Sequence, residues 1–157
     1  MPDALGARDA NGTGCRIKGT ISEMRMIEQV EVSTHSRQSF HDITAEVQTV
    51  VERSGIEEGV CFLFCPHTTA ALTLNENCDP DVRRDLGVGL DVVSPRRPEY
   101  QHNEGNSPAH LKSSLVGASQ FVLVSGGRLV LGTWQGIYLV EFDGPRRRKV
   151  LVKIVAD

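Results

Sequence analysis

An α+β domain dominated by antiparallel strands is predicted by three features of this sequence. Apolar residues alternate with polar ones near the start and along the last third, helical spacing appears in short segments between, and turn residues stand at the junctions. A chain of 157 residues suits one compact domain that buries about two thirds of its unfolded surface. Residues 1–14, rich in Gly, Ala, Asp and Asn, hold too little apolar surface to offset the entropy of ordering, so a disordered tail is expected there and a single domain over 15–157.

In chain order, Ile17, Gly19 and Ile21, then Ile27, Val30 and Val32, alternate as one or two half-buried strands do. Between His41 and Ser54 the period changes: Ile43, Val47, Val50 and Val51 share one helical face, Ser39 or Asp42 caps the start, and Gly55 follows the end. Val60–Phe64 and Ala70–Leu74 read as short strands on either side of Pro66-His67-Thr68-Thr69. Asn77, Asp79 and Asp81 open a short helix through Leu86, with Pro80 in its first turn. Ser94–Asn106 has no periodicity and contains Pro95 and Pro98, the signature of a long loop. A brief helix spans Ala109–Val116, started by Pro108 and ended by Gly117. Phe121–Val124 and Leu129–Leu131, joined by Gly126-Gly127, form one hairpin; Gly136–Phe142 and Arg147–Val155, joined by Asp143-Gly144-Pro145, form a second.

A net charge of −3 argues against a general nucleic-acid surface. No stretch approaches the roughly 20 apolar residues of a membrane-spanning helix, and Met1–Ala10 lacks the pattern of a secretory leader. Cys15, Cys61, Cys65 and Cys78 form no C-x-x-C pair, and Cys61 and Cys65 fall on one face of a strand. They read as buried thiols of a reducing compartment, the cytoplasm.

The chemistry concentrates on three histidines. His67, His102 and His110 each stand among Thr, Asn, Glu or Ser, and three imidazoles around an open position are how a catalytic zinc is commonly held. Their spacing is not that of a local zinc motif, so only folding can assemble them; otherwise each simply satisfies its own loop. Glu76 and Glu104, both flanked by asparagines, are candidates for general acid–base work, with Asn77 and Asn106 as substrate contacts. Lys112, Ser113 and Ser114 offer an ammonium and two hydroxyls to a phosphate without forming a Walker loop, and Thr68 and Thr69 add hydroxyls to the same pocket. Trp134 and Tyr138 fall at even spacing on one strand face, as an aromatic wall or a core contact. Arg146-Arg147-Arg148-Lys149 lies in an alternating strand that splits the charges between two faces, a solvated or edge-protecting arrangement.

Six ordered motifs, Pro66-His67-Thr68-Thr69-Ala70-Ala71, Asn75-Glu76-Asn77, Asp79-Pro80-Asp81-Val82, His102-x-Glu104-Gly105-Asn106, His110-x-Lys112-Ser113-Ser114 and Gly132-Thr133-Trp134-Gln135-Gly136, resemble the YjbQ family from about Ile17 to Val155. The resemblance implies a sandwich-like α+β subunit that forms a homotrimer with its histidine pocket near subunit interfaces. It also implies a secondary thiamine-phosphate synthase, a transferase that joins a pyrimidine diphosphate to a thiazole phosphate and releases pyrophosphate. His67, His102 and His110 would then bind a divalent metal ion, zinc in preference to magnesium. Glu76, Glu104 and His67 would manage protons, and Lys112 with Ser113 would hold the anion of a small phosphorylated substrate. The same pocket also fits two alternatives, a metal-dependent phosphate-ester hydrolase and a non-catalytic trimer that binds a small anion or metal. Cys65, beside Pro66-His67, is open as a further ligand, and its thiolate would favour zinc.

Overall fold

The computed structural model describes residues 27–157, so the expected tail and the alternation at Ile17–Ile21 lie outside the described residues. In chain order the elements are β1 (Glu28–Ser33), β2 (Ser39–Asp42), α1 (Thr44–Ser54), β3 (Glu58–Phe64), β4 (Ala70–Glu76), α2 (Pro80–Val93), α3 (Ser107–Val116), β5 (Ser119–Ser125), β6 (Arg128–Leu129), β7 (Gln135–Glu141) and β8 (Arg147–Ala156). The strands form two sheets, β1-β8-β3-β5-β6 and β2-β7-β4. Every pairing is antiparallel. The predicted α+β, sandwich-like class is the one observed.

Alternation builds the interior. Cys61, Leu63 and Cys65, then Val122 and Val124, then Val150, Val152 and Ile154 turn inward from the larger sheet. They meet Ala70, Leu72, Ile137 and Leu139 of the smaller one, and Val47, Val50 and Val51 of α1 join the same core. The other face of the smaller sheet carries Ala71, Tyr138, Val140 and, just past β7, Phe142, covered by Ala109 of α3 and by Leu90 of α2. The order is therefore sheet, sheet, helices. β7 lies in the middle layer with Gly136–Glu141 all buried, which explains its unbroken apolar run.

Four expectations are corrected. The helix predicted from His41 begins at Thr44; Ser39–Asp42 instead pairs with β7, with His41 opposite Leu139. Four residues are too few for local pattern to reveal a strand whose stability comes from a partner about a hundred residues away. Asp42 still marks the helix start, its Oδ1 accepting the Thr44 N–H at 2.9 Å, and Gly55 ends it at φ +66°. The second helix runs past Leu86 to Val93. Gly87 and Gly89, each costing about 1 kcal/mol of helix propensity, mask the continuation. Gly87 is tolerated where β2 comes close: its carbonyl accepts from Gln38 Nε2 at 3.0 Å, and a Cβ would stand 3.1 Å from that nitrogen. The second hairpin does not form. β7 is flanked by β2 and β4 and β8 by β1 and β3, so neither has a free edge, and the Asp143-Gly144-Pro145 connection carries the chain from one sheet to the other. The same fact corrects the edge-strand reading of Arg146–Lys149.

On its outer face the larger sheet shows Phe62, Phe64, Phe121, Leu123 and Val155, all more than two fifths exposed. Phe62 and Phe121 stand directly opposite each other. No described helix is long and apolar enough to cross a membrane.

Candidate functional site

The long loop ends in a turn that organises polar side chains around the amino end of α3. Gly105 adopts φ +68°, and its N–H donates to the His102 carbonyl at 2.9 Å. His102, Glu104 and Asn106 are thereby carried toward the helix that Asn106 starts, its carbonyl accepting the Ala109 N–H at 2.8 Å. One turn along α3, His110 meets His102 edge to face with ring centroids 5.4 Å apart. Glu104 Oε2 lies 4.0 Å from His102 Nε2.

The Asn106 side chain is 6% exposed. Its Nδ2 donates to Glu104 Oε2 at 3.2 Å and to Asp143 Oδ2 at 3.0 Å. Two carboxylates fix the orientation of the amide, because turning it over would aim its carbonyl oxygen at them. Oδ1 is then left with no partner, the single buried side-chain nitrogen or oxygen in that condition among the described residues. A buried acceptor without a donor costs about 1–3 kcal/mol, and such exceptions collect at functional sites. Asp143 comes from the β7–β8 connection, where Arg146 Nη2 donates to it at 2.7 Å. Burial pushes the Asp143 carboxyl up, but the donors from Asn106 and Arg146 outweigh it and hold the carboxyl below its usual range.

Lys112 faces another way. Its buried ammonium donates to Gln38 Oε1 at 2.5 Å and to the Asp91 carboxylate, and lies 5.9 Å from the Phe142 ring centroid. It lines a cavity of about 370 Å³ with Arg37, Asp91, Ser94, Arg96 and Phe142, so three cations face one carboxylate. The neighbouring hydroxyls expected to join a phosphate are turned to backbone: Ser113 Oγ donates to the Ala70 carbonyl at 2.7 Å and Ser114 Oγ to that of His110 at 2.9 Å.

His67 turns to the backbone of β8. Its Nε2 accepts the Lys149 N–H at 2.9 Å, and burial first, then the nearby Arg148 guanidinium, lower its pKa, keeping the ring neutral. The expectation that His67, His102 and His110 converge on a metal is corrected. Among the described residues no group of three or more His, Cys, Asp or Glu side chains is arranged to hold an ion. His102 and His110 could supply two nitrogen ligands, short of the three protein ligands a catalytic zinc takes. Cys65 points into the core, where burial raises its thiol pKa.

Thr68 is exposed, whereas Thr69 is buried and its Oγ1 accepts from Arg148 Nη2 at 2.8 Å. Arg148 is committed to Glu141 through contacts of 2.7 and 2.6 Å. Glu76 and Asn77 are at the far end of β4, six residues from Ala70, or about 20 Å by strand rise. There Asn77 Nδ2 donates to Asp42 Oδ2 at 3.4 Å. Trp134 and Tyr138 do not share a strand face: Trp134 precedes β7 and is 64% exposed, while Tyr138 is buried. The sequence reading missed Asp143, Glu141, Arg37 and Arg96. Only Glu141 carried a visible signal, a carboxylate inside an apolar run that must find a partner when buried.

Comparison with known proteins places this geometry among relatives. Residues 28–157 match the family described as UPF0047 protein YjbQ-like. The UPF0047 protein YugU of Bacillus subtilis is 50% identical over 131 residues, covering 83% of this chain and 99% of the relative. A UPF0047 protein of Methanocaldococcus jannaschii is 43% identical over 134 residues, covering 85% and 97%. A crystal structure from Clostridium acetobutylicum, described as an uncharacterized conserved protein of the YjbQ/UPF0047 family, is 53% identical with a TM-score of 0.80, covering 82% of this chain and 99% of that one. One from Sulfolobus solfataricus, described as a YbjQ-like protein of unknown function, is 36% identical with a TM-score of 0.80, covering 84% and 97%. These findings overturn the thiamine-phosphate synthase expectation. The relatives carry no such activity in their descriptions, and the three-histidine metal pocket it required is absent among the described residues. The metal-dependent hydrolase and the non-catalytic module in which the histidines hold the ligand used that same pocket and fall with it.

Proposed function

The chain belongs to the UPF0047 YjbQ-like family, a shared fold that carries no chemistry by itself, and from its own side chains we propose a general acid–base enzyme acting on a small phosphorylated molecule. The observation that carries this reading is the unpartnered Asn106 Oδ1 beside the His102–His110 pair. Oδ1 accepts a hydroxyl or N–H of the substrate, and the paired imidazoles of His102 and His110 move its proton, with the Glu104 carboxylate beside His102. The cationic cavity of Arg37, Arg96 and Lys112 receives the phosphate. Both sites meet the first turn of α3, since Pro108 and Ala109 line the cavity and Asn106 starts the helix.

A thermal-shift panel of phosphorylated metabolites tests the reading. A true ligand stabilises the protein saturably, by about 2.7 kcal/mol at a hundred times its Kd. Arg96→Ala, an exposed change that spares the fold, removes that response, whereas His110→Ala keeps the response and loses turnover. A panel with no saturable ligand, or an unchanged response in Arg96→Ala, defeats the proposal.

We also propose a homotrimer, for which the exposed Phe62–Phe121 face speaks. Val88 and Val92 of α2 and Leu111 and Leu115 of α3 are exposed as well, and packing the sheet face of one copy on a helix of the next generates a ring. Light scattering should give three chain masses, and Phe121→Glu one. The cytoplasm is the compartment we propose, because Cys61 and Cys65 are buried, unpaired thiols and burial pushes Cys61 up to about 12.

A further inference from the structure

A second cleft lies at the other end of β4, apart from the α3 cluster, and its argument does not rest on the acid–base reading. The turn before β7 is pinned from both sides. The Gln135 N–H donates to the Gly132 carbonyl at 2.9 Å, and the Gly132 N–H donates to Gln135 Oε1 at 2.8 Å. The Trp134 carbonyl accepts the Asn77 N–H at 2.8 Å. Gly136 abuts the same asparagine so closely that a Cβ would stand 2.9 Å from Asn77 Nδ2. The backbone of Trp134 is therefore held while its indole is 64% exposed, leaving only two side-chain torsions to order when something covers the ring.

The indole lines a cleft of about 540 Å³ with Leu74, Asn75, Glu76, Thr133 and Gln135. Among the described residues that lining carries one charge, the Glu76 carboxylate, and no cation. Asn75 Oδ1 accepts the Glu76 N–H at 2.8 Å, and the Tyr138 hydroxyl donates to the Glu76 carbonyl at 3.2 Å, so the backbone of Glu76 is fixed as well. Among the described residues Asp42 and Glu76, together with Arg83, are the charged groups near the Tyr138 hydroxyl, and burial first, then Asp42, push that hydroxyl's pKa up. An aromatic face beside an uncompensated carboxylate is the arrangement that attracts an organic cation through the ring quadrupole and the carboxylate charge together.

We propose that the Trp134–Glu76 cleft binds a small organic cation, an ammonium or protonated amine, with its charge between the indole face and the Glu76 carboxylate. Trp134 is the sole tryptophan of the chain, so its emission reports on this cleft alone. The full chain is titrated with choline and, separately, with its uncharged isostere 3,3-dimethylbutan-1-ol. The expected result is a saturable change in emission with choline, at least tenfold weaker apparent affinity for the neutral isostere, and at least a tenfold loss in Glu76→Gln. Calorimetry on Trp134→Leu should show the same loss, with unchanged light scattering. The proposal is overturned by the absence of saturation, by equal affinity for the isostere, or by unchanged affinity in Glu76→Gln. It is equally overturned if acrylamide fails to quench the indole of the unligated chain, because the ring is then already covered.

Discussion

Two polar networks flank the β7–β8 connection, and they differ in whether every group is answered. Glu141, buried in the middle layer, receives both Arg148 donors, the Thr34 hydroxyl and the N–H groups of Phe142 and Asp143. The Arg148 guanidinium also reaches Thr69. A few residues on, Asp143 and Glu104 hold the Asn106 amide by its nitrogen while its carbonyl oxygen has no donor. A network with no fully buried side-chain atom left unpartnered specifies how two sheets join and leaves no orphaned acceptor for a ligand. One that leaves a buried acceptor open carries an energetic deficit that a ligand can relieve. The rich charge content of both makes them look alike in composition; satisfaction separates them.

The largest test of that separation is Arg148→Ala, which leaves the Glu141 carboxylate buried without its partner. Loss of one member of a buried pair costs about 3–5 kcal/mol, readable as a shifted urea midpoint. A loss below about 1 kcal/mol would show that the pair is not the committed network described. Asn106→Leu should cost less, about 1–2 kcal/mol, because it deletes two donors to carboxylates but also removes the orphaned acceptor. It should abolish any ligand-induced thermal shift; a shift that survives would move the ligand away from Asn106.

Acid sharpens the comparison further. Burial pushes Glu141 up, but Arg148, the Asp143 N–H and Thr34 prevail and hold it below its ordinary value of 4.5; Asp143 is likewise held below 3.8. Depressed carboxyl values mean that the unfolded chain binds protons first as pH falls. The stability these groups contribute is thus complete above their ordinary values and disappears as pH drops through the lower folded ones. The thermal midpoint should fall progressively below about pH 4.5, and Asp143→Asn should flatten part of that decline. A midpoint independent of acid would remove both carboxylates from the stabilising account.

His67 should give the smallest effect. Its folded value is lowered by burial and Arg148 from 6.5, so its contribution is complete above 6.5 and is lost as pH falls below it. His67→Asn should change stability by less than about 1 kcal/mol and leave ligand binding at the α3 cluster intact. Lost ligand response in that variant would restore His67 to the site from which the geometry separates it.

Legibility varied with the range of the interaction that decides each feature. Alternation in β3, β5 and β8, the Asp42 start and Gly55 stop of α1, and the Asp79-Pro80 start of α2 are local, and each is written in neighbouring residues. The grouping of His102, Glu104, Asn106 and His110 also lies within one turn and one helix start, so a polar loop running into a proline-led helix announced it. β2 and the divergence of β7 from β8 were hidden, because both depend on which strand edge is vacant in the assembled sheets. The Trp134–Tyr138 pairing failed because Trp134 lies in the turn before β7, outside the pleat that orients Tyr138.

What the sequence by itself determined is the class of the fold, its apolar faces and the local polar cluster, since side-chain period, turn chemistry and helix capping act over a few residues. The tertiary structure alone decided that Arg148 answers Glu141, that Asp143 closes on Asn106, and that His67 turns to the Lys149 backbone instead of to a shared metal site. Those choices depend on the order in which strands find partners, and a polar group buried by that order must take whichever complement the fold brings within hydrogen-bond reach.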